Sequence, residues 1–141
     1  ETVADHIKKN SWFSIGIATV SEIDKYNILN ASMLSMERAV NKLKKKPDLY
    51  LIDGVHAPKK MKNFKTIIKG DQKIKCISAA SIVAKVYRDL YMIKLSRRFP
   101  NYKWHKNFGY GTFQHLNALK KFGVTSYHRR SYKPVHNILS K

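Results

Sequence analysis

The chain has 141 residues, 43% of them hydrophobic, which is enough to bury one core. Its 28 Lys and Arg residues far outnumber its 9 Asp and Glu residues, and a net charge of +19 indicates a polyanionic partner, above all nucleic acid. No apolar run approaches the roughly 18 residues of a spanning helix, which argues against a membrane protein. The single Cys76 excludes an intrachain disulfide and fits a reduced cytosolic setting. No signal peptide is visible, and because the chain begins at Glu1 rather than Met we expect a processed or truncated piece.

The first third of the chain predicts a helix tail, a strand and a long helix. Residues 1–10 carry Val3 and Ile7 four apart, and residues 11–20 are rich in aromatic and β-branched side chains, which favours a strand. A helix is predicted from about residue 28 to residue 45 by an apolar stripe at spacings of three and four: Leu29, Met33, Met36, Val40 and Leu43. Its Lys-rich end is interpreted as a solvated face, with nucleic-acid contact as the alternative.

Two Asp residues follow two predicted strands. Residues 49–52 form an apolar run between Pro47 and Gly54, which is typical of a strand buried in a sheet covered by helices on both faces. Asp53 ends that run, and Asp71 comes just after a second predicted strand at residues 66–69. In open α/β sheets the ligand crevice lies at these carboxyl ends. A carboxylate buried there would need a compensating positive partner.

This placement of carboxylates suits divalent cations. Mg²⁺ prefers oxygen ligands, and two ions about 3.5–4 Å apart can position a water and stabilise the leaving oxygen in phosphodiester cleavage. The alternative is that Asp53 merely opens a turn before Gly54 and that Asp71 likewise only caps its strand. The chain would then be a non-catalytic, basic nucleic-acid-binding protein.

The second half predicts further helices around an aromatic, basic loop. Small residues at 78–81 lead into a helix that ends at Pro100. Its predicted core positions are Ile82, Val83, Val86, Leu90 and Ile93. Residues 101–111 predict the loop, and Thr112 predicts the N-cap of a helix that ends at Gly123. The inward positions of that helix are Leu116 and Leu119, and the tail predicts a short apolar turn around Val135, Ile138 and Leu139.

Two segments of this half are candidates for substrate contact. Tyr110 lies between two glycines, where an aromatic ring can stack on a sugar or base; a core tyrosine in a tight turn is the alternative. Residues 128–130 (HRR) could hold phosphates through charge-assisted hydrogen bonds; an exposed basic tail is the alternative.

Nearly the whole chain resembles bacterial ribonuclease HII. The resemblance rests on motifs in the same order as in that family: residues 51–54 (LIDG), 69–71 (KGD), 77–89 (ISAASIVAKVYRD), 109–112 (GYGT) and 128–131 (HRRS), with Asn27-Ile28-Leu29 and Met36 before them. It implies an α/β, ribonuclease-H-like mixed sheet flanked by helices, with a C-terminal helical portion. It also implies cleavage of the RNA strand of RNA–DNA hybrids, and cleavage 5′ to ribonucleotides embedded in duplex DNA, with Mg²⁺ or Mn²⁺, leaving a 3′-hydroxyl and a 5′-phosphate. The expected protein is a monomeric, cytoplasmic enzyme of DNA replication and repair.

The resemblance also implies roles for individual residues. Asp53 and Asp71 match catalytic, metal-binding carboxylates, and Tyr110 matches the tyrosine that packs against the ribose at the DNA–RNA junction. Asn27 and Lys85 match the substrate groove, to which the phosphate-binding candidates Arg129 and Arg130 are added. Asp89 is interpreted as a structural ion-pair partner of Lys85.

One departure from the family pattern is large. The first-strand motif Asp-Glu-x-Gly-Arg-Gly, which supplies two of the family's four carboxylates and the backbone that reads the 2′-hydroxyl, is absent, as is the Ser-Lys-Lys segment after it. Residues 1–141 are therefore expected to form the C-terminal two thirds of the ribonuclease HII domain, beginning near the end of its first helix. The sheet would lack two strands and have an open edge, and the chain alone is expected to be inactive.

Overall fold

The computed structural model describes all residues from Glu1 to Lys141 and confirms an α/β fold that is rich in helices. The elements are, in chain order, α1 (Val3–Asn10), α2 (Val20–Lys42), β1 (Tyr50–Asp53), β2 (Phe64–Ile67), α3 (Gly70–Lys73), α4 (Lys75–Arg98), a 3₁₀ turn (Pro100–Tyr102), α5 (Trp104–Asn107), α6 (Phe113–Phe122) and α7 (Lys133–Leu139). No helix is long and apolar enough to span a membrane.

The sheet is a parallel pair in which β1 and β2 lie side by side. Tyr50 is opposite Phe64 and Asp53 is opposite Ile67, so both carboxyl ends reach the same edge. The two apolar runs correctly predicted both strands, although β2 begins two residues earlier than expected. Because the strands are parallel, whatever follows Ile67 is carried close to Asp53.

The predicted strand at residues 11–20 is wrong. These residues are extended but pair with no strand, and they lie along α2 instead. Arg38 Nη1 donates to the Ile17 carbonyl at 2.7 Å, and Ser14 Oγ donates to the Ala39 carbonyl at 2.5 Å. A β-carbon at Gly16 would overlap the Ser35 carbonyl, so glycine permits this close approach. With no strand beside the segment, side chains of α2 satisfy its carbonyls.

Helix α2 consists of two helical segments joined at Asn27, and the helix predicted from about residue 28 matches the start of the second segment. The first segment begins at Val20, because Thr19 and Glu22 form a capping box, and the second ends at Lys42 rather than residue 45. Hydrogen bonds from Arg38 lower the pKa of Glu22 to about 2. The helix is interrupted at Asn27, whose φ of 70° is left-handed. The predicted apolar stripe is only half-buried, and Leu29 is exposed.

The main core lies in the C-terminal half. Its buried members are Leu95, Tyr102, Trp104, Ala118, Leu119 and Val135. The segment predicted as an aromatic, basic loop therefore supplies two core residues, and Trp104 is only 1% exposed. Conversely, Leu90 was predicted inside and is 58% exposed. The Thr112 cap and the stop at Gly123 are confirmed for α6, as is an apolar C-terminal turn, which forms α7.

Candidate active site

Asp53 and Asp71 are brought together by one hydrogen bond from a backbone N–H to the Asp53 side chain. The Gly70 N–H donates to Asp53 Oδ1 at 2.8 Å, and Asp71 is the next residue, in the first turn of α3. Gly70 is buried, and a β-carbon there would lie 2.7 Å from Ile77 Cδ1, so glycine allows the chain to turn tightly here. Both Asp residues are exposed, which removes the desolvation cost that a buried carboxylate would carry.

These two carboxylates are the candidate metal ligands. No group of three or more His, Cys, Asp or Glu side chains lies together in the chain. Mg²⁺ is commonly held by one or two carboxylates together with waters and substrate phosphates, so this donor set fits one divalent cation. A site for two ions would need more oxygen ligands than Asp53 and Asp71 provide.

Tyr110 belongs to an exposed aromatic and basic surface beside α4. Its side chain is 63% exposed, which argues against the alternative of a core tyrosine. The Arg88 guanidinium lies 5.3 Å from the Tyr110 ring centroid and donates to the Phe108 carbonyl at 2.7 Å. Lys85 bonds to Asp89 at 2.6 Å, which raises the pKa of Lys85 and agrees with the ion pair predicted from their spacing.

Asn27 and Arg129 line one open cleft of about 460 Å³ between α2 and the segment before α7. Asp24 holds the two sides together, because its carboxylate accepts from the Arg130 and Ser131 backbone N–H groups, both at 3.1 Å, and from Ser131 Oγ at 2.7 Å. Burial raises the pKa of Asp24, but these bonds and the charge of Arg129 outweigh it and keep that pKa below its usual value. Asn27 Oδ1 accepts from the Asn30 N–H at 2.9 Å, and this bond caps the helical segment of α2 that follows the break at Asn27.

His128 does not belong to the basic surface that residues 128–130 were predicted to form. Its ring is 7% exposed, whereas Arg129 is half-buried and Arg130 is exposed. Burial, assisted by the neighbouring His115, lowers the pKa of His128 to about 4. His128 is therefore neutral near pH 7 and cannot attract a phosphate by charge.

We expect His128 to make the fold acid-sensitive. The unfolded chain takes up a proton at this histidine near pH 6.5, whereas the folded chain does so only near the pKa of about 4. Stability is therefore lost as the pH falls from about 6.5 to 4, by about 3 kcal/mol in total. Urea unfolding at pH 7 and pH 4 measures this loss. His128→Gln should reduce it, whereas His6→Gln, at an exposed histidine, should not; equal losses in both variants would contradict the assignment.

The predicted site residues fall into three groups. Asp53 lies with Asp71, Tyr110 lies near α4 on the same side as Lys85, and Asn27 shares the cleft with Arg129. No hydrogen bond or ion pair joins one group to another. Sequence reasoning did not assign roles to Asp24 and Arg88. Acidic residues are scarce among the many basic residues of this chain, and that scarcity could have drawn attention to Asp24.

Comparison with known proteins identifies the family. The family model described as "Ribonuclease HII" matches residues 3–135. The ribonuclease HII of Pelagibacter ubique (strain HTCC1062) is 55% identical over 99% of this chain, which spans 75% of that relative. Those of Roseobacter denitrificans and Cereibacter sphaeroides (strain ATCC 17029) are 43% and 50% identical, and the chain spans 70% and 66% of their lengths.

A solved structure supports the fold. The crystal structure of ribonuclease H2 from Pyrococcus horikoshii OT3 aligns with a TM-score of 0.67 over 86% of this chain and 65% of that chain. At 23% sequence identity, this match bears on the fold alone. The family model and the bacterial relatives cover almost every residue of the chain, including both Asp residues and Tyr110. The chain therefore belongs to the ribonuclease HII family.

Proposed function

We propose that this chain carries the greater part of a metal-dependent endoribonuclease. Its substrates would be the RNA strand of RNA–DNA hybrids and ribonucleotides embedded in duplex DNA, cut on their 5′ side. The observation that carries the proposal is the hydrogen bond from Gly70 to Asp53, which brings Asp53 and Asp71 to one sheet edge in a chain of net charge +19. A cytoplasmic, monomeric enzyme of DNA replication and repair is part of the same proposal.

The proposed chemistry assigns distinct tasks to the candidate residues. Asp53 and Asp71 would hold Mg²⁺ or Mn²⁺, which when bound supplies positive charge to the attacking water and the leaving oxygen. Asp53 Oδ1 accepts from the Gly70 N–H, and the remaining lone pairs of the carboxylate stay available to a cation. The exposed Tyr110 ring would pack against the ribose at the junction. Asn27, Lys85, Arg129 and Arg130 would contact the nucleic-acid backbone, Lys85 with its charge partly neutralised by Asp89.

The test is cleavage of a duplex that contains one ribonucleotide. We would compare it with an all-DNA duplex of the same sequence, with Mg²⁺, with Mn²⁺ and with EDTA. The protein used would be an upstream-extended version that includes an Asp-Glu-x-Gly-Arg-Gly strand. We expect a single metal-dependent cut 5′ to the ribonucleotide, leaving a 3′-hydroxyl. Binding without cleavage under all conditions would favour the non-catalytic nucleic-acid-binding protein instead.

We also expect binding of duplex nucleic acid to weaken steeply with salt. Each neutralised phosphate releases counterions, so the logarithm of the binding constant should fall linearly with the logarithm of salt concentration, with a slope of roughly −0.9 per contact. Fluorescence anisotropy between 50 and 200 mM salt, roughly the range in which such effects are large, measures this slope. A flat salt dependence would show that the charge of +19 is not used for binding.

A pair of double variants locates the contacts. Arg129→Ala with Arg130→Ala should reduce the slope by roughly two, since each lost phosphate contact removes about one unit. Lys44→Ala with Lys45→Ala removes the same charge from the exposed end of the α2 region and should change the slope less. Equal reductions in both variants would contradict the assignment of Arg129 and Arg130 to the substrate surface.

A further inference from the structure

A chain of buried hydrogen bonds ends at the backbone of Tyr110. His115, on α6, is 4% exposed, and its Nε2 lies 3.2 Å from Nε2 of His128. Trp104 Nε1 also donates to His115 Nε2 at 3.2 Å. On the opposite side of the imidazole, His115 Nδ1 lies 2.9 Å from the Tyr110 carbonyl oxygen. One buried ring therefore connects the aromatic core to the exposed residue proposed to contact ribose.

The hydrogen-bond partners determine which nitrogen carries each proton. The Thr125 backbone N–H donates to His128 Nδ1 at 3.0 Å, so a neutral His128 carries its proton on Nε2 and donates to His115. Trp104 Nε1 can only donate, so His115 Nε2 must be unprotonated, and its single lone pair is shared between Trp104 and His128. The proton of His115 is therefore on Nδ1, from which it donates to the Tyr110 carbonyl.

Besides His115, Asn107 holds the Tyr110 segment: the Tyr110 N–H donates to the Asn107 carbonyl at 2.9 Å, and the Gly109 N–H donates to Asn107 Oδ1 at 2.9 Å. The Tyr110 side chain itself is exposed, and its ring lies against the guanidinium of Arg88, which is also exposed. The preceding residue, Gly109, has φ of +84°, so the turn relies on a flexible residue. The carbonyl of Tyr110 accepts from the Thr112 N–H at 2.8 Å as well as from His115, and the Thr112 hydroxyl accepts from the His115 N–H at 3.2 Å. The N-terminal end of α6 is thus hydrogen-bonded to the backbone of Tyr110, the residue whose ring is exposed.

We infer that His115 is a positioning residue for Tyr110, with its Nδ1–H fixing the peptide that aims the tyrosine ring at the substrate. This inference rests on the proposed function for the role of the ring, but the hydrogen-bond geometry itself does not. His115 touches no reacting group and acts only through Tyr110. Trp104 and His128 act one step further away, because they keep His115 Nε2 free of a proton.

Two substitutions of His115 separate positioning from core packing. Asparagine places an N–H near the position of Nδ1 and can still donate to the Tyr110 carbonyl, whereas it loses the acceptor that faces Trp104. Glutamine places its polar end near Nε2 and loses the donor to Tyr110. Both remove the imidazole from the core, so a merely structural role predicts similar effects of the two changes.

The activity arm uses the upstream-extended protein and the duplex with one ribonucleotide. We expect His115→Gln to lower kcat/KM roughly five- to tenfold, the effect of one lost hydrogen bond, and His115→Asn to lower it less than about threefold. In a Tyr110→Ala background, His115→Gln should cause no further loss. Equal losses for Asn and Gln, or an undiminished loss without the tyrosine ring, would overturn the inference. Thermal unfolding of each variant identifies any that fail to fold.

The second arm needs no nuclease activity and no variant. Long-range ¹H–¹⁵N spectra of the wild-type protein at neutral pH should show His115 protonated on Nδ1 and His128 protonated on Nε2. A His115 protonated on Nε2 would overturn the inference even if every variant unfolds. If the tautomers are as expected but the extended wild-type protein does not cut, the proposed function fails while the positioning of the Tyr110 backbone stands.

Discussion

Replacing Asp53 with Asn in the upstream-extended protein should lower turnover by at least about a hundredfold and leave the fold intact. The loss follows because an amide oxygen carries no charge to hold a divalent cation. The fold should survive because Asp53 is exposed and an Asn side-chain oxygen can still accept the hydrogen bond from Gly70. Exposed substitutions of this kind change stability by about 0.5 kcal/mol or less.

The matched control is Asp48→Asn. Asp48 lies just before β1, is exposed and makes no hydrogen bond or ion pair, so its variant has the same change in charge without touching the site. Asp71→Asn should resemble Asp53→Asn. Turnover of the embedded-ribonucleotide duplex and urea unfolding would be measured for all three variants. Near-normal turnover of the Asp53 variant would exclude this residue as a metal ligand.

The local pattern predicted the strand ends well because they depend on short-range signals. The apolar run before Asp53 is bounded by Pro47 and Gly54. A run this short is too short for a helix and is most readily buried as a strand in a sheet. The nearness of Asp53 and Asp71 then follows from the parallel pairing of β1 and β2. The bond from Gly70 to Asp53 could not be predicted, since it depends on a left-handed Lys69 that directs the next N–H back towards β1.

The failures lie where tertiary contacts override local preference. Residues 11–20 have the composition of a strand, yet a strand needs a neighbour, and here α2 satisfies their carbonyls instead. The apolar stripe predicted a helix from about residue 28, and the structure adds a further helical segment before it, from Val20 to the break at Asn27. Trp104 and His128 were assigned to basic, exposed segments because their neighbours are Lys and Arg. Only the packing shows that each faces the core.

We expect the 141 residues alone to bind nucleic acid but not to cut it. Asp53 and Asp71 are the carboxylates at the sheet edge, and no group of three or more possible metal-binding side chains lies there. Two such ligands cannot readily hold two divalent ions and orient the attacking water. The backbone that the family resemblance assigns to reading the 2′-hydroxyl is absent as well, and recognition of a single ribonucleotide depends on that hydroxyl. The basic side chains remain exposed, so salt-dependent binding should persist.

Supplying the Asp-Glu-x-Gly-Arg-Gly segment should restore cleavage, even as a separate peptide, if it docks against the sheet. The two-stranded sheet has unpaired edges, and Leu49 and Phe64, beside or within its strands, are exposed apolar residues that an added strand could cover. The assay compares the chain alone, the chain with the peptide, and the chain with a peptide whose Asp and Glu are changed to Asn and Gln. Chain carrying Asp53→Asn, purified in the same way, controls for contaminating nuclease, which would cut equally in both preparations. Metal-dependent cutting by the wild-type 141 residues alone, absent from the Asp53→Asn preparation, would show that two carboxylates suffice and that the site needs no further strand.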